Sequence, residues 1–134
     1  MPNDTERDSE PLNREFELTF EEHEGYFFVC VEGESTSPKA IDEYQSHIAA
    51  EISKRNYDRV IIKRDIPLIN NSAQHCSVIY KVRAWQIRHI KFAFVDMNPE
   101  HIPSYKLALL FATSSGVQAE VFADVPTARK WLLS

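Results

Sequence analysis

The chain has 134 residues, with 15 Lys plus Arg against 20 Asp plus Glu, five His, two Cys and three Gly, for a net charge of −5. That is one domain's length of chain, and a hydrophobic content of 43% supplies a core that needs neither disulfides nor a structural metal. The acidic balance excludes nucleic acid as the expected partner, because neutralising phosphates takes a concentrated excess of Lys and Arg. Gly25, Gly33 and Gly116 lie too far apart to build a glycine-rich phosphate loop.

Residues 1–14 are rich in Asp, Glu, Asn and Pro and carry no apolar stretch of the signal-peptide kind, so they predict a flexible tail ahead of a single domain over residues 15–134. Phe16 to Phe20 alternates apolar and polar residues with a period of two, as a half-buried strand does. His23-Glu24-Gly25 makes a turn, and Tyr26 to Val31 is nearly continuous apolar, which fits a central strand joined to the first by a hairpin. After a polar loop, Ser37-Pro38 has the form of a helix N-cap followed by proline, and Ile41, Tyr44, Ile48 and Ile52 recur at helical spacing to an end near Asn56.

Val60-Ile61-Ile62 reads as a buried parallel strand closed by Pro67. From Ser72 the spacing of Cys76, Ile79, Tyr80, Val82 and Ile87 predicts a second helix, and Phe92 to Val95 another strand. A third helix runs from Tyr105 to Thr113, a last strand from Val117 to Phe122, and Asp124 with Pro126 caps a final helix holding Ala128, Trp131 and Leu132. The predicted order ββαβαβαβα makes an α/β domain with one mixed, mostly parallel sheet of about five strands and four helices. No apolar run approaches the roughly 20 residues of a membrane span. Cys30 and Cys76, without CxxC spacing, fit buried thiols in a cytoplasmic protein.

This order resembles the STAS and SpoIIAA-like superfamily, which includes bacterial anti-sigma-factor antagonists. The likeness is carried above all by the C-terminal third: Phe92-Ala93-Phe94-Val95, a helix through Phe111, then Glu120-Val121-Phe122-Ala123-Asp124 and Ala128-Arg129-Lys130-Trp131-Leu132. Antagonists of this type carry an Asp-Ser-Ser/Thr-Gly motif in which a kinase phosphorylates a serine. The matching stretch here is Ile69-Asn70-Asn71-Ser72-Ala73, with Asn70 at the Asp position, Asn71 at the serine and Ala73 at the glycine. The motif is degenerate, and Ser72, at a predicted helix N-terminus, is the phosphorylation candidate or else simply part of the helix cap.

The resemblance implies a non-enzymatic regulatory or protein-interaction domain without a cofactor. Its partner is then a kinase, a sigma-factor regulator or a second copy of the chain. Charge placement suggests where it docks. Met1 to Asp65 holds 8 basic against 16 acidic residues, whereas Ile66 to Val95 holds no acid and four bases, Lys81, Arg83, Arg88 and Lys91. Asn70, Asn71, Lys81, Arg83, Trp85 and Arg88 are therefore the candidate partner-binding residues, Trp85 serving as an aromatic anchor. Two alternatives come from other classes. Phe92, Phe94, Tyr105, Leu109 and Phe111 could line a pocket for a small apolar or lipid-like ligand. Asp96, His101 and Tyr105 could form an acid–base cluster in a small enzyme, although no nucleophile motif accompanies them and no catalytic residue is assigned. The five histidines show no metal-ligand spacing.

Overall fold

A computed structural model of the full chain describes residues 9–13, 16–34, 37–67 and 77–134, the first of these segments by its backbone alone. Six strands form a single sheet in chain order: β1 (Ser9–Asn13), β2 (Phe16–His23), β3 (Tyr26–Gly33), β4 (Arg59–Asp65), β5 (Lys91–Asp96) and β6 (Gln118–Phe122). β1, β2 and β3 pair antiparallel, and β3 through β6 pair parallel. Three α-helices follow, α1 (Pro38–Arg55), α2 (Ile102–Ser114) and α3 (Val125–Leu132). The mixed, mostly parallel sheet read from the sequence is therefore present, with differences at two places.

The first difference is β1. Part of the stretch read as a flexible tail pairs along the edge of β2 and shifts register between Pro11 and Asn13. Backbone hydrogen bonding to an open strand edge requires no apolar pattern, and an edge position tolerates proline, so composition gave no sign of it. The second difference is the predicted second helix. Among the described residues it is two 3-10 turns, Ser77–Lys81 and Ile87–His89, with irregular chain between them. Val78, Ile79, Val82 and Ile90 are buried and anchor this segment. Val78, Ile79 and Val82 lie close together in sequence, and their β-branched side chains are stiff, which disfavours a regular α-helix.

Strand alternation sorts the core into two layers. Phe27, Val29, Val60, Ile62, Phe92, Phe94, Ala119 and Val121 face α1 and α2, while Ile61, Ala93 and Val95 face α3. The central strands β4 and β5 are covered on both sides, which is why they read as unbroken apolar runs. α1 buries Ile41, Tyr44, Ile48 and Ile52 along one face. It starts at Ser37, whose hydroxyl accepts from the Ala40 N–H at 3.1 Å, and stops at Asn56 in the left-handed region. Glu24-Gly25 joins β2 to β3, and Gly25 takes the positive φ that this tight turn needs. Burial pushes the Cys30 thiol up to about 11, which keeps it protonated and unreactive near neutral pH.

α3 returns across the far face of the sheet, burying Ala128 and Leu132, with Trp131 half-buried against Phe122. Its last carbonyls are capped from the sheet: Lys91 donates to Trp131 O at 2.8 Å and Arg59 to Leu132 O at 3.1 Å. At its start Asp124 accepts from the Thr127 N–H at 2.8 Å, and that bond holds the carboxyl below its ordinary pKa. A lowered carboxyl pKa contributes stability above the ordinary carboxylate range and loses it as pH falls through the folded value. Asp124→Ala should therefore lower the melting temperature at pH 7, and the gap from the parent should narrow in melts run toward pH 3; a gap independent of pH would contradict the charged cap.

Candidate functional site

Parallel α/β sheets usually carry their sites at the carboxyl ends of the strands. In the register of this sheet Val31, Arg64 and Asp96 form one row at that end, on the side facing α1 and α2. Arg64 and Asp96 are 1% and 0% exposed, so these two charged side chains are turned into the core. Arg64 Nη1 donates to the Tyr105 hydroxyl at 2.8 Å and lies 3.9 Å from Asp96 Oδ2, an ion pair too long for a hydrogen bond. Burial alone lowers the Arg64 pKa, but Tyr105, Tyr44 and Asp96 more than offset it and leave the guanidinium above its ordinary value.

The other side of Asp96 organises the chain that enters α2. Its Oδ1 accepts from the Asn98 N–H at 2.9 Å and its Oδ2 from His101 Nδ1 at 2.9 Å. This places the proton of His101 on Nδ1. Asp96, His101 and Tyr105 thus do come together, as the acid–base alternative expects, but each is 0% exposed. The arrangement clamps the loop between β5 and α2. Arg64 Nε, Arg64 Nη2 and the Tyr44 hydroxyl have no hydrogen-bond partner among the described residues, so the cluster carries a desolvation cost that its inner contacts must offset.

Phe92, Phe94, Tyr105 and Leu109, the residues of the apolar-ligand alternative, are core residues of the described structure. They are 0–4% exposed and packed on one another, with the Phe94 and Tyr105 rings 5.6 Å apart. Phe111, grouped with them in the sequence, is 76% exposed on the opposite side of α2. One residue's shift along a helix turns a side chain by about 100°, and the run Leu107 to Ala112 is apolar throughout, so its pattern cannot say which members face the sheet.

The basic segment is the part that reaches solvent. Trp85 is 61% exposed, and Arg83, Arg88 and His89 around it are exposed as well. Trp85, Gln86, His89 and Ile90 line a groove of about 340 Å³ with Asn56, Tyr57 and Asp58. The groove lies at the entries to β4 and β5, the end of the sheet opposite the buried cluster. Lys81 is turned toward α1, where it pairs with Asp42 at 2.6 Å. Arg88 Nε donates to Ser115 O at 3.0 Å and so joins the segment to the end of α2, where Gly116 turns the chain with positive φ. Asn70, Asn71 and Ser72 lie outside the described residues, as do Ser35 and Thr36. No three His, Cys, Asp or Glu side chains among the described residues converge as metal ligands, and no helix there is long and apolar enough to cross a membrane.

The inward Arg64 was within reach of the sequence, because Val60, Ile62 and Arg64 share one strand face by alternation. Tyr44, which acts on Arg64 electrostatically, is equally placed on the buried stripe of α1. Asp96→Ala removes the acceptor from His101 and Asn98 and the counter-charge from Arg64, and should cost about 3–5 kcal/mol in urea unfolding; a loss below about 1 kcal/mol would show that the clamp is not structural.

No protein-family model and no curated protein matches the chain. A solved structure, that of an anti-sigma factor antagonist from Mycobacterium paratuberculosis, is similar over 94% of this chain and 99% of its own, with a TM-score of 0.56 and 14% identity. At that identity the likeness is one of backbone, and it establishes that this chain has the fold of an anti-sigma factor antagonist.

Proposed function

We propose that the chain is a non-enzymatic regulatory domain that acts by binding a protein partner, a kinase or sigma-factor regulator being the class its fold suggests. The observation that carries this reading is Trp85, a large aromatic left 61% exposed among Arg83, Arg88 and His89 on an otherwise acidic protein. Exposed Trp and Arg side by side are the residues that most often dominate protein interfaces. A cationic face of this kind speeds encounter with an acidic partner and rejects a basic one. The buried state of Asp96, His101 and Tyr105 supports binding over catalysis. Similarity to an anti-sigma factor antagonist supports regulation as the purpose of that binding.

Arg83→Glu combined with Trp85→Ala should abolish recovery of the partner in pull-downs from native extract while leaving the circular dichroism melt near that of the parent. Unchanged recovery would remove this face from the proposal. Ser72 is the position at which we place phosphorylation control. A phosphopeptide spanning Ser72 should appear by mass spectrometry in at least one growth state of the native cell, and its absence from all of them would exclude that control.

A further inference from the structure

Helix α2 buries Tyr105, Leu109 and Ala112 against the sheet, with Ile102 and Ala108 partly buried beside them. Leu107, Leu110 and Phe111 follow the i, i+3, i+4 spacing on the opposite side and are 58%, 63% and 76% exposed, with exposed Pro103 extending the stripe by a turn. The run Leu107 to Ala112 is thus apolar on both its inward and its outward side, although only the inward one is covered. An α-helix of that composition is ordinarily buried on both sides. A contiguous apolar patch of a few hundred Å² on a monomer's surface is of the size that marks an interaction site.

Charge around the stripe narrows what covers it. Lys106 is the only charged residue in α2, and Arg88 stands at the carboxyl end of the helix through its bond to Ser115 O. Glu100, the acid nearest in sequence, lies beyond the amino end. A second copy of this chain fits poorly. The exposed large apolar side chains among the described residues are Tyr80, Trp85, Met97, Leu107, Leu110, Phe111 and Leu133, all outside the acidic portion up to Asp65. The acidic surface of a second copy therefore offers no described apolar counterpart, and a two-fold pairing of α2 with α2 sets Lys106 and Arg88 of both copies against each other.

We propose that the outer face of α2 docks an amphipathic helix of a different protein, whose leucine-type stripe packs on Leu107, Leu110 and Phe111 and whose acidic flank meets Lys106 and Arg88. This rests on the reading of the chain as a protein-interaction domain and adds to the Trp85 face a second surface with its own recognition chemistry. The probe is a fluorescein-labelled synthetic helix with a leucine stripe and glutamate flanks, titrated by anisotropy into the full chain, beside a counterpart with lysine flanks. The glutamate peptide should bind at least tenfold tighter than the lysine peptide. Leu110→Ser combined with Phe111→Ser should weaken it at least tenfold at an unchanged melting temperature, and Lys106→Glu should narrow the preference between peptides. Equal binding of both peptides, affinity untouched by the double serine variant, or a dimer in sedimentation that the double variant dissociates would each overturn the proposal. Neither Arg83 nor Trp85, the positions changed in the pull-down, belongs to this face, so failure here leaves that reading standing, and failure there leaves this face to stand or fall with the peptide.

Discussion

Parallel register across β3, β4, β5 and β6 places Phe27, Val60, Phe92 and Ala119 in one row and Val29, Ile62, Phe94 and Val121 in the next, and everything outside the sheet is positioned by those rows. Burial of these side chains supplies the dominant favourable free energy, at about 25 cal/mol per Å² of apolar surface removed from water. A slip of one residue in any strand would turn its apolar set toward the wrong layer. The two layers are unequal. α1 and α2 cover the side that carries most of the aromatic residues, whereas α3 spans the central strands on the other side, its carbonyls tied down by Lys91 and Arg59.

The next row contains Arg64 and Asp96, and there the alternation that makes a core elsewhere puts charge inside it. An ion pair 3.9 Å apart in the interior is weak support for stability by itself, since desolvation of both groups opposes their attraction. Its effect is geometric. Asp96 fixes Asn98 and His101, and Arg64 fixes Tyr105, so the strand end, the following turn and the first turns of α2 move as one piece. A rigidly seated α2 presents Leu107, Leu110 and Phe111 in a constant arrangement, which limits the entropy lost when a partner docks.

Arg88 connects the two exposed surfaces. Its bond to Ser115 O sets the basic segment against the end of α2. Exposed Arg83 and Arg88 make this stretch of surface cationic. Such a surface selects among partners chiefly by long-range charge and then by apolar fit.

Much of this was present in the sequence because it depends on neighbours along the chain. Period-two alternation in β2, the apolar runs of β3, β4 and β5, the caps at Ser37 and Asp124 and the helical spacing of Ile41, Tyr44, Ile48 and Ile52 are local properties, and each corresponds to the element that forms. Other features are decided by distant groups. β1 pairs along the open edge of β2, and the segment after Ser77 forms 3-10 turns anchored by buried Val78, Ile79 and Val82. Asp96, His101 and Tyr105 were recognisable as a group, but only packing beneath α2 closed them off from solvent. In α2 itself the run Leu107 to Ala112 is apolar on both its inward and its outward side, so composition alone could not separate Tyr105 and Leu109, which pack on the sheet, from Leu110 and Phe111, which face water. Hydrophobic pattern determines that a segment will be buried somewhere; the register of the sheet and the finite area it offers decide which face is covered and which is left for a partner.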